Sequence, residues 1–177
     1  MFSVKNPVYY WTLTIVTSLL EIVVPFLSFE KFSGKKKRGK LDGYGTQSFW
    51  VFDEHFEGTW IDGKMNGKGK HWFGPKSKSP GEEYIGYFVN DLKQGKGTLK
   101  LSDGQVYKGD FHEDKYHGKG ECSFPNGDTY KGDFSKNLHH GYGVYTFADG
   151  RVESRKYVDG NFVGWIPYAQ FDLDLDR

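Results

Sequence analysis

Cysteine is almost missing from this chain. Cys122 stands alone among 177 residues, so no disulfide can close within the chain and no cysteine-built zinc cage can form. Charge of one sign is missing too: 24 lysines and arginines face 23 aspartates and glutamates, a formal net charge of +1. That balance excludes the general basicity by which a nucleic-acid binder gathers phosphate. No Gly-any-Gly-any-any-Gly run lies between a strand pattern and a helix pattern, and no glycine-lysine-serine phosphate loop occurs. Nor does any Ser/His/Asp order suit a nucleophile. Long apolar runs are limited to one, Val8–Phe29.

Glycine and aromatic rings fill the composition instead, with 24 glycines and 18 % Phe, Trp and Tyr. Glycine at that level disfavours long soluble helices, and rings favour strands. The two recur together. YKGDF stands at Tyr107–Phe111 and again at Tyr130–Phe134, followed by HGKG at His117–Gly120 and HGYG at His140–Gly143. The pattern also opens at Phe56, at Tyr84 and, more loosely, at Phe32. A worn copy at Glu153–Tyr157 keeps its closing ring and Gly164. Start-to-start spacings are 24, 28, 23, 23 and 23 residues, a period that belongs to stacked repeats.

Each unit reads as a β-hairpin. Aromatic–any–glycine–any–aromatic has period two, so both rings and the glycine lie on one face of a strand. The Gly–any–Gly that follows begins a second strand ending at Phe49, Phe73, Leu101, Phe124 or Phe147. Polar loops such as His112–His117 join the strands, and SDG, PNG or ADG turns join the units. Asn-Gly and Asp-Gly supply the positive φ such turns demand. Symmetric closure would set the ring at the fifth repeat position opposite the first glycine of its own second strand, a ring over bare backbone. One hairpin cannot hold itself together, but several in register can.

These residues resemble the MORN (membrane occupation and recognition nexus) repeat, whose pattern runs tyrosine–any–glycine–any–aromatic, then histidine–glycine–any–glycine, then an aspartate-glycine turn. The likeness is strong from Phe56 to Gly150 and weaker in the first unit, where Lys36 replaces the second aromatic and Asp42 the histidine. It implies a mostly β fold: an elongated, curved, single-layer antiparallel sheet with an aromatic groove, acting as scaffold, linker or membrane-associated module. It does not imply catalysis. The expected domains are a hydrophobic N-terminal helix over 1–30, a repeat array over 31–164 and a C-terminal cap with acidic tail over 165–177. The stretch Gly74–Glu83 replaces a five-residue connection and reads as an exposed, tolerated loop, with a binding loop as the alternative.

Val8–Phe29 holds fifteen apolar residues in 22 with only Glu21 charged. As a helix of about 33 Å it is long enough to span a hydrocarbon core. Six basic residues between Lys31 and Lys40 follow it, against Lys5 before it, which sets the repeats on the cytosolic or matrix-like side. Thr14, Thr17, Ser18, Glu21, Pro25 and Ser28 fall at helical spacing as one polar stripe, suited to docking on another membrane helix. A helix capping the first hairpin and a cleaved signal peptide are the alternatives. Glu21 and the lack of a small–any–small site weigh against the signal peptide.

Three surfaces are candidates for function. The cluster Lys35, Lys36, Lys37, Arg38 and Lys40 suits anionic lipid, or else forms the solvated loop of the first hairpin. The ring row Phe56, Trp60, Tyr84, Phe88, Tyr107, Phe111, Tyr130 and Phe134 suits a partner's peptide or amphipathic helix, or else packs upon itself. The stripe Thr14, Thr17, Ser18, Glu21 and Ser28 suits a membrane partner. His117 and His140 are explained by the period, His112 and His139 fall in polar loops, and a zinc site completed by Asp114, His139 or Cys122 has no recognised spacing. Cys122 reads as a packing residue. Trp165, Ile166 and Tyr168 would cap the last hairpin, leaving Asp172, Asp174 and Asp176 in solvent. The expectation is a membrane-tethered, non-enzymatic scaffold or accessory subunit of a larger complex, without cofactor, metal or nucleic acid. The alternatives are the targeting module of a lipid kinase or methyltransferase, and a peripheral anionic-lipid binder.

Overall fold

The computed structural model describes residues 30–49 and 52–166, which form twelve strands and no helix. They are β1 (Glu30–Lys37), β2 (Lys40–Phe49), β3 (Glu54–Ile61), β4 (Lys64–Phe73), β5 (Glu83–Val89), β6 (Leu92–Lys100), β7 (Val106–His112), β8 (Lys115–Ser123), β9 (Thr129–Ser135), β10 (Leu138–Thr146), β11 (Val152–Val158) and β12 (Asn161–Trp165). All lie in one open sheet in sequence order, each antiparallel to its neighbours. The mostly β reading and the stacked hairpins are therefore observed. The expected helix over Val8–Phe29, with its stripe at Thr14, Thr17, Ser18, Glu21 and Ser28, lies outside the described residues. Among the described residues no helix is long and apolar enough to cross a membrane.

The hairpin loops are shorter than the sequence reading made them. His112–His117 is no six-residue loop, because His112 pairs with Lys115 and only Glu113-Asp114 turn the chain. Both turn residues have positive φ, 49° and 65°, the signature of a type I′ turn whose twist matches the strands. Asn90-Asp91 and Lys136-Asn137 repeat this geometry. The second turn residue also clips one hairpin to the one before. Asp114 donates its N–H to the Lys93 carbonyl (3.1 Å) and accepts the Lys93 N–H on its carboxylate (2.9 Å). Asp91 does the same to Met65, and Asn137 to Tyr116.

Gly118 and Gly120 have different reasons to be glycine. In β7–β8, Gly109 pairs with Gly120 but Asp110 pairs with His117, so Gly118 and Lys119 form a two-residue bulge. Gly118 takes φ 56°, and the matching Gly67, Gly95 and Gly141 are also left-handed. Gly120 instead lies under a ring: a Cβ there would fall 2.6 Å from Tyr107 Oη. The bulge frees one carbonyl and one amide, and the repeat supplies a partner for each. Tyr107 Oη donates to the Asp110 carbonyl (2.8 Å), and the Asp110 carboxylate accepts the Lys119 N–H (3.2 Å). In the next unit Tyr130 donates to the Asp133 carbonyl, and Asp133 accepts from Tyr142.

This bulge corrects the expected ring–glycine pairing. Within its own hairpin Phe111 stands opposite Tyr116; the glycine it faces is Gly95, on the last strand of the preceding unit. Two extra residues in the second strand shift the register by that amount. The rings therefore join units together. Tyr84 meets Phe111 edge-on at 4.9 Å between centroids, Tyr107 meets Phe134 at 5.0 Å and Tyr130 meets Tyr157 at 5.6 Å. Edge-to-face pairs of this kind contribute about 0.5–1.5 kcal/mol each beyond burial.

The array closes differently at its far end. Arg155 stands where the sixth unit's glycine would be, opposite Gly143. Its guanidinium lies 4.1 Å over the Tyr145 ring and bonds Glu153. The cation covers the Tyr145 and Phe147 rings at this end of the array, as terminal repeats must be covered. The inserted stretch after β4 is also tied down: Asp53 accepts the Lys76 N–H at 2.9 Å, and Gly81 donates to Phe73 at 2.9 Å.

Two stability outcomes follow, both read by denaturant unfolding. Gly120→Ala should cost about 2–3 kcal/mol because Tyr107 blocks the methyl group. Gly104→Ala, where an added Cβ meets nothing, should lose only the left-handed penalty of about 1 kcal/mol; the reverse order would refute the ring as the obstacle. Asp114→Ala should cost about 1 kcal/mol, and Asp114→Asn should cost little, since Asn137 already serves as such a clip.

Candidate functional site

The sheet has two unlike faces. The eight rings singled out from sequence, Phe56, Trp60, Tyr84, Phe88, Tyr107, Phe111, Tyr130 and Phe134, share one face and are between 0 and 4 % exposed. They are the core of the array and lie beneath its reachable surface. A molecule lying on this face would touch the half-buried side chains beside them. Met65, Tyr116 and His139 form one bank, and Phe73, Leu101, Phe124 and Tyr145 the other. Tyr116 stacks on Tyr107 at 3.7 Å, and His139 lies tilted against Tyr130 at 3.9 Å. His139 is thus a strand residue and not a loop residue, a place that the period hid because Met65, Lys93 and Tyr116 hold it in other units. Cys122 packs on the same face between Tyr107 and Tyr130, and burial pushes its thiol up to about 11.

The opposite face mixes exposed Tyr44, Ile85, Tyr87 and Tyr142 with charged side chains, some of them paired. Lys96 meets Asp110 at 2.9 Å and Lys119 meets Asp133 at 2.7 Å, exposed pairs that contribute little stability. His112 and His117 lie with ring centroids 5.6 Å apart. Among the described residues no group of three His, Cys, Asp or Glu side chains is placed to hold a metal ion.

The basic cluster sits on the first hairpin. Lys35, Lys36 and Lys37 are on β1, Arg38 opens the turn and Lys40 starts β2, all exposed. Among the described residues none of the five enters an ion pair. Lys36 reaches back to 5.9 Å over the Phe32 ring. Because Lys36 stands where later units place a ring, the row begins open. A cavity of about 640 Å³ lies there over Phe32, Leu41, Trp60 and Met65. Trp60 Nε1 is buried without a hydrogen-bond partner. The sequence marked Lys36 as a departure but did not show that the departure leaves a hollow.

His71 is the buried ionisable group whose charge state matters. Desolvation, and then Lys93, lower its pKa to about 4, while desolvation raises the carboxyl of Glu54. Its Nε2 lies 3.3 Å from Glu54 yet lacks hydrogen-bond geometry, so at neutral pH this is a neutral imidazole beside a carboxylate and no salt bridge. A histidine whose folded pKa lies below the unfolded value of 6.5 contributes stability that is present above pH 6.5 and lost as pH falls towards 4. Unfolding free energy should thus fall by roughly 2 kcal/mol between pH 7 and pH 5 from this residue. His71→Leu, which copies Leu99 at the same repeat position, should remove this share of the slope in urea titrations at the two pH values, leaving the share of His139, whose pKa burial also lowers.

A scan against known protein families finds the MORN repeat at residues 32–49, 56–77, 84–106, 107–129 and 130–150. These five stretches coincide with the hairpins β1–β2 to β9–β10 and take in the ring, the glycine pair and the turn of each. No curated protein matches the chain. The chain belongs to the MORN repeat family.

Proposed function

We propose that this chain is a non-enzymatic scaffold, tethered to a membrane through Val8–Phe29 and holding a protein partner at a fixed place on the membrane surface. The observation that carries the reading is the position of the basic hairpin. The apolar run ends at Phe29, β1 begins at Glu30, and the hairpin built from β1 and β2 presents Lys35, Lys36, Lys37, Arg38 and Lys40 with no acidic partner among the described residues. Near an anionic leaflet each such charge contributes about 1 kcal/mol of attraction, screened by salt. The run supplies hydrophobic insertion and the hairpin supplies lipid attraction, on the side that the positive-inside rule makes cytosolic or matrix-like.

The array supplies rigidity. Clips at the turns and rings between units leave few soft joints, so a partner on the banks beside the rings is held at a set distance from the bilayer. Glu21 and the hydroxyl stripe on the run suit docking to a second membrane helix of that complex. The second reading, a peripheral anionic-lipid binder, rests on the same exposed lysines without insertion of the run.

Membrane fractionation separates the two. The scaffold reading expects the full chain to stay with membranes through high salt and carbonate and to leave only in detergent. Release by salt alone would sink the tether and favour the peripheral reading. Glu21→Leu should leave membrane retention intact and reduce co-purification of the partner about tenfold; unchanged co-purification would remove the docking stripe.

A further inference from the structure

The two edges of the sheet differ in charge. β1 carries Lys31, Lys35, Lys36 and Lys37, all exposed, against one acidic residue, Glu30, and among the described residues its outer side pairs with no strand. β12, Asn161–Trp165, carries no charge at all. An unpaired strand edge presents a row of free N–H and C=O groups, which is a template for one more strand. Over the ring face, from β1 inward, lies the cavity lined by Phe32, Leu41, Trp60 and Met65, with Lys36 and Lys40 on its rim near β1 and Asp91 at its far side. Such a site fits a strand with one apolar side and one acidic side.

The chain itself contains that sequence. From Phe171 the residues alternate strictly, with Phe171, Leu173 and Leu175 on one parity and Asp172, Asp174 and Asp176 on the other. Period two is the pattern of a strand that is apolar on one face and acidic on the other. We propose that this segment of one chain adds as a strand to the β1 edge of a second copy. Its apolar side closes the cavity over Phe32 and Trp60. Its aspartates face Lys31 and Lys37, which lie on the other face of β1, since they alternate with Phe32 and Lys36.

The acceptor has to be another copy. Eleven strand spacings of about 4.8 Å separate β1 from β12 by roughly 50 Å. The five steps from Ile166 to Phe171 reach at most roughly 18 Å. The chain's own β12 edge is closer but offers no lysine. The contact is head-to-tail, so its repetition produces rows of arrays and no closed pair. Strand addition supplies the affinity through backbone hydrogen bonds, and the charges set partner and direction.

The test is sedimentation of the full chain in detergent micelles over a concentration series at low and high salt. The expected result is a mass that climbs past the dimer with concentration and drops in high salt, where the charges are screened. Asp172→Lys/Asp174→Lys/Asp176→Lys should raise the concentration of half-assembly about tenfold or more. Lys31→Glu/Lys37→Glu should do the same. Mixing the two charge-reversed variants should restore assembly, because each then offers the other an opposite charge. A mass independent of concentration would overturn the proposal. So would association that survives either reversal, as docking of membrane helices would give, or a mixture that stays dispersed.

Discussion

A bulge of two residues in the second strand of the hairpins sets most of what this chain can be. A left-handed glycine such as Gly118 opens it, and the freed carbonyl and amide need partners inside a half-buried sheet. Tyr107 caps the carbonyl from one side and Asp110 caps the amide from the other. To reach its carbonyl the tyrosine must lie across the sheet, and that forbids any side chain at Gly109 and Gly120 beneath it. Ring, glycine pair and aspartate are therefore one device. Changing any member leaves another without its partner or its space.

The same register shift couples the units. Since Phe111 faces Gly95 of the preceding hairpin and packs on Tyr84, each unit completes the core of the one before it. Stability is then built from neighbour interfaces, and interruptions outside the ring row are tolerated. The stretch after β4 shows this. Its extra residues lie beyond the paired strands, and Asp53 holds the Lys76 amide, much as Asp128 holds that of Ala148 across an ordinary connection.

The period, the hairpins and the shared face of rings were legible because period two and period 23 are properties of sequence order alone. Three features were not. Gly118 and Gly120 look alike in sequence, yet one answers to φ and the other to the ring above it. The I′ turns at Glu113-Asp114 and Lys136-Asn137 lack the Asn-Gly or Asp-Gly signal, since the clip to the neighbouring hairpin stabilises residues that would otherwise resist positive φ. The third is how completely the ring row is buried: the aromatics read first as packing on one another, yet a groove among them stayed open as a second reading. Only the register, which sets Phe134 edge-on to Tyr107, makes it a core.

Once the rings are committed to cohesion, the interior of the array has little left to offer a ligand. Recognition shifts to the places where the repeat breaks. Lys36 replaces a ring and opens a hollow at one end, and Arg155 replaces a glycine and covers Tyr145 at the other. These substitutions are not equivalent. Arginine at the far end closes the row with a cation over a ring, a contact complete within the chain. Lysine at the near end leaves Phe32 and Trp60 beside charge and a strand edge that have no partner among the described residues, just after the segment that carries the chain's longest apolar run. The array is thus polar along its length: both outer strands of the described sheet are edges, but only the β1 end leaves a hollow over its rings, and an array with unlike ends has a direction.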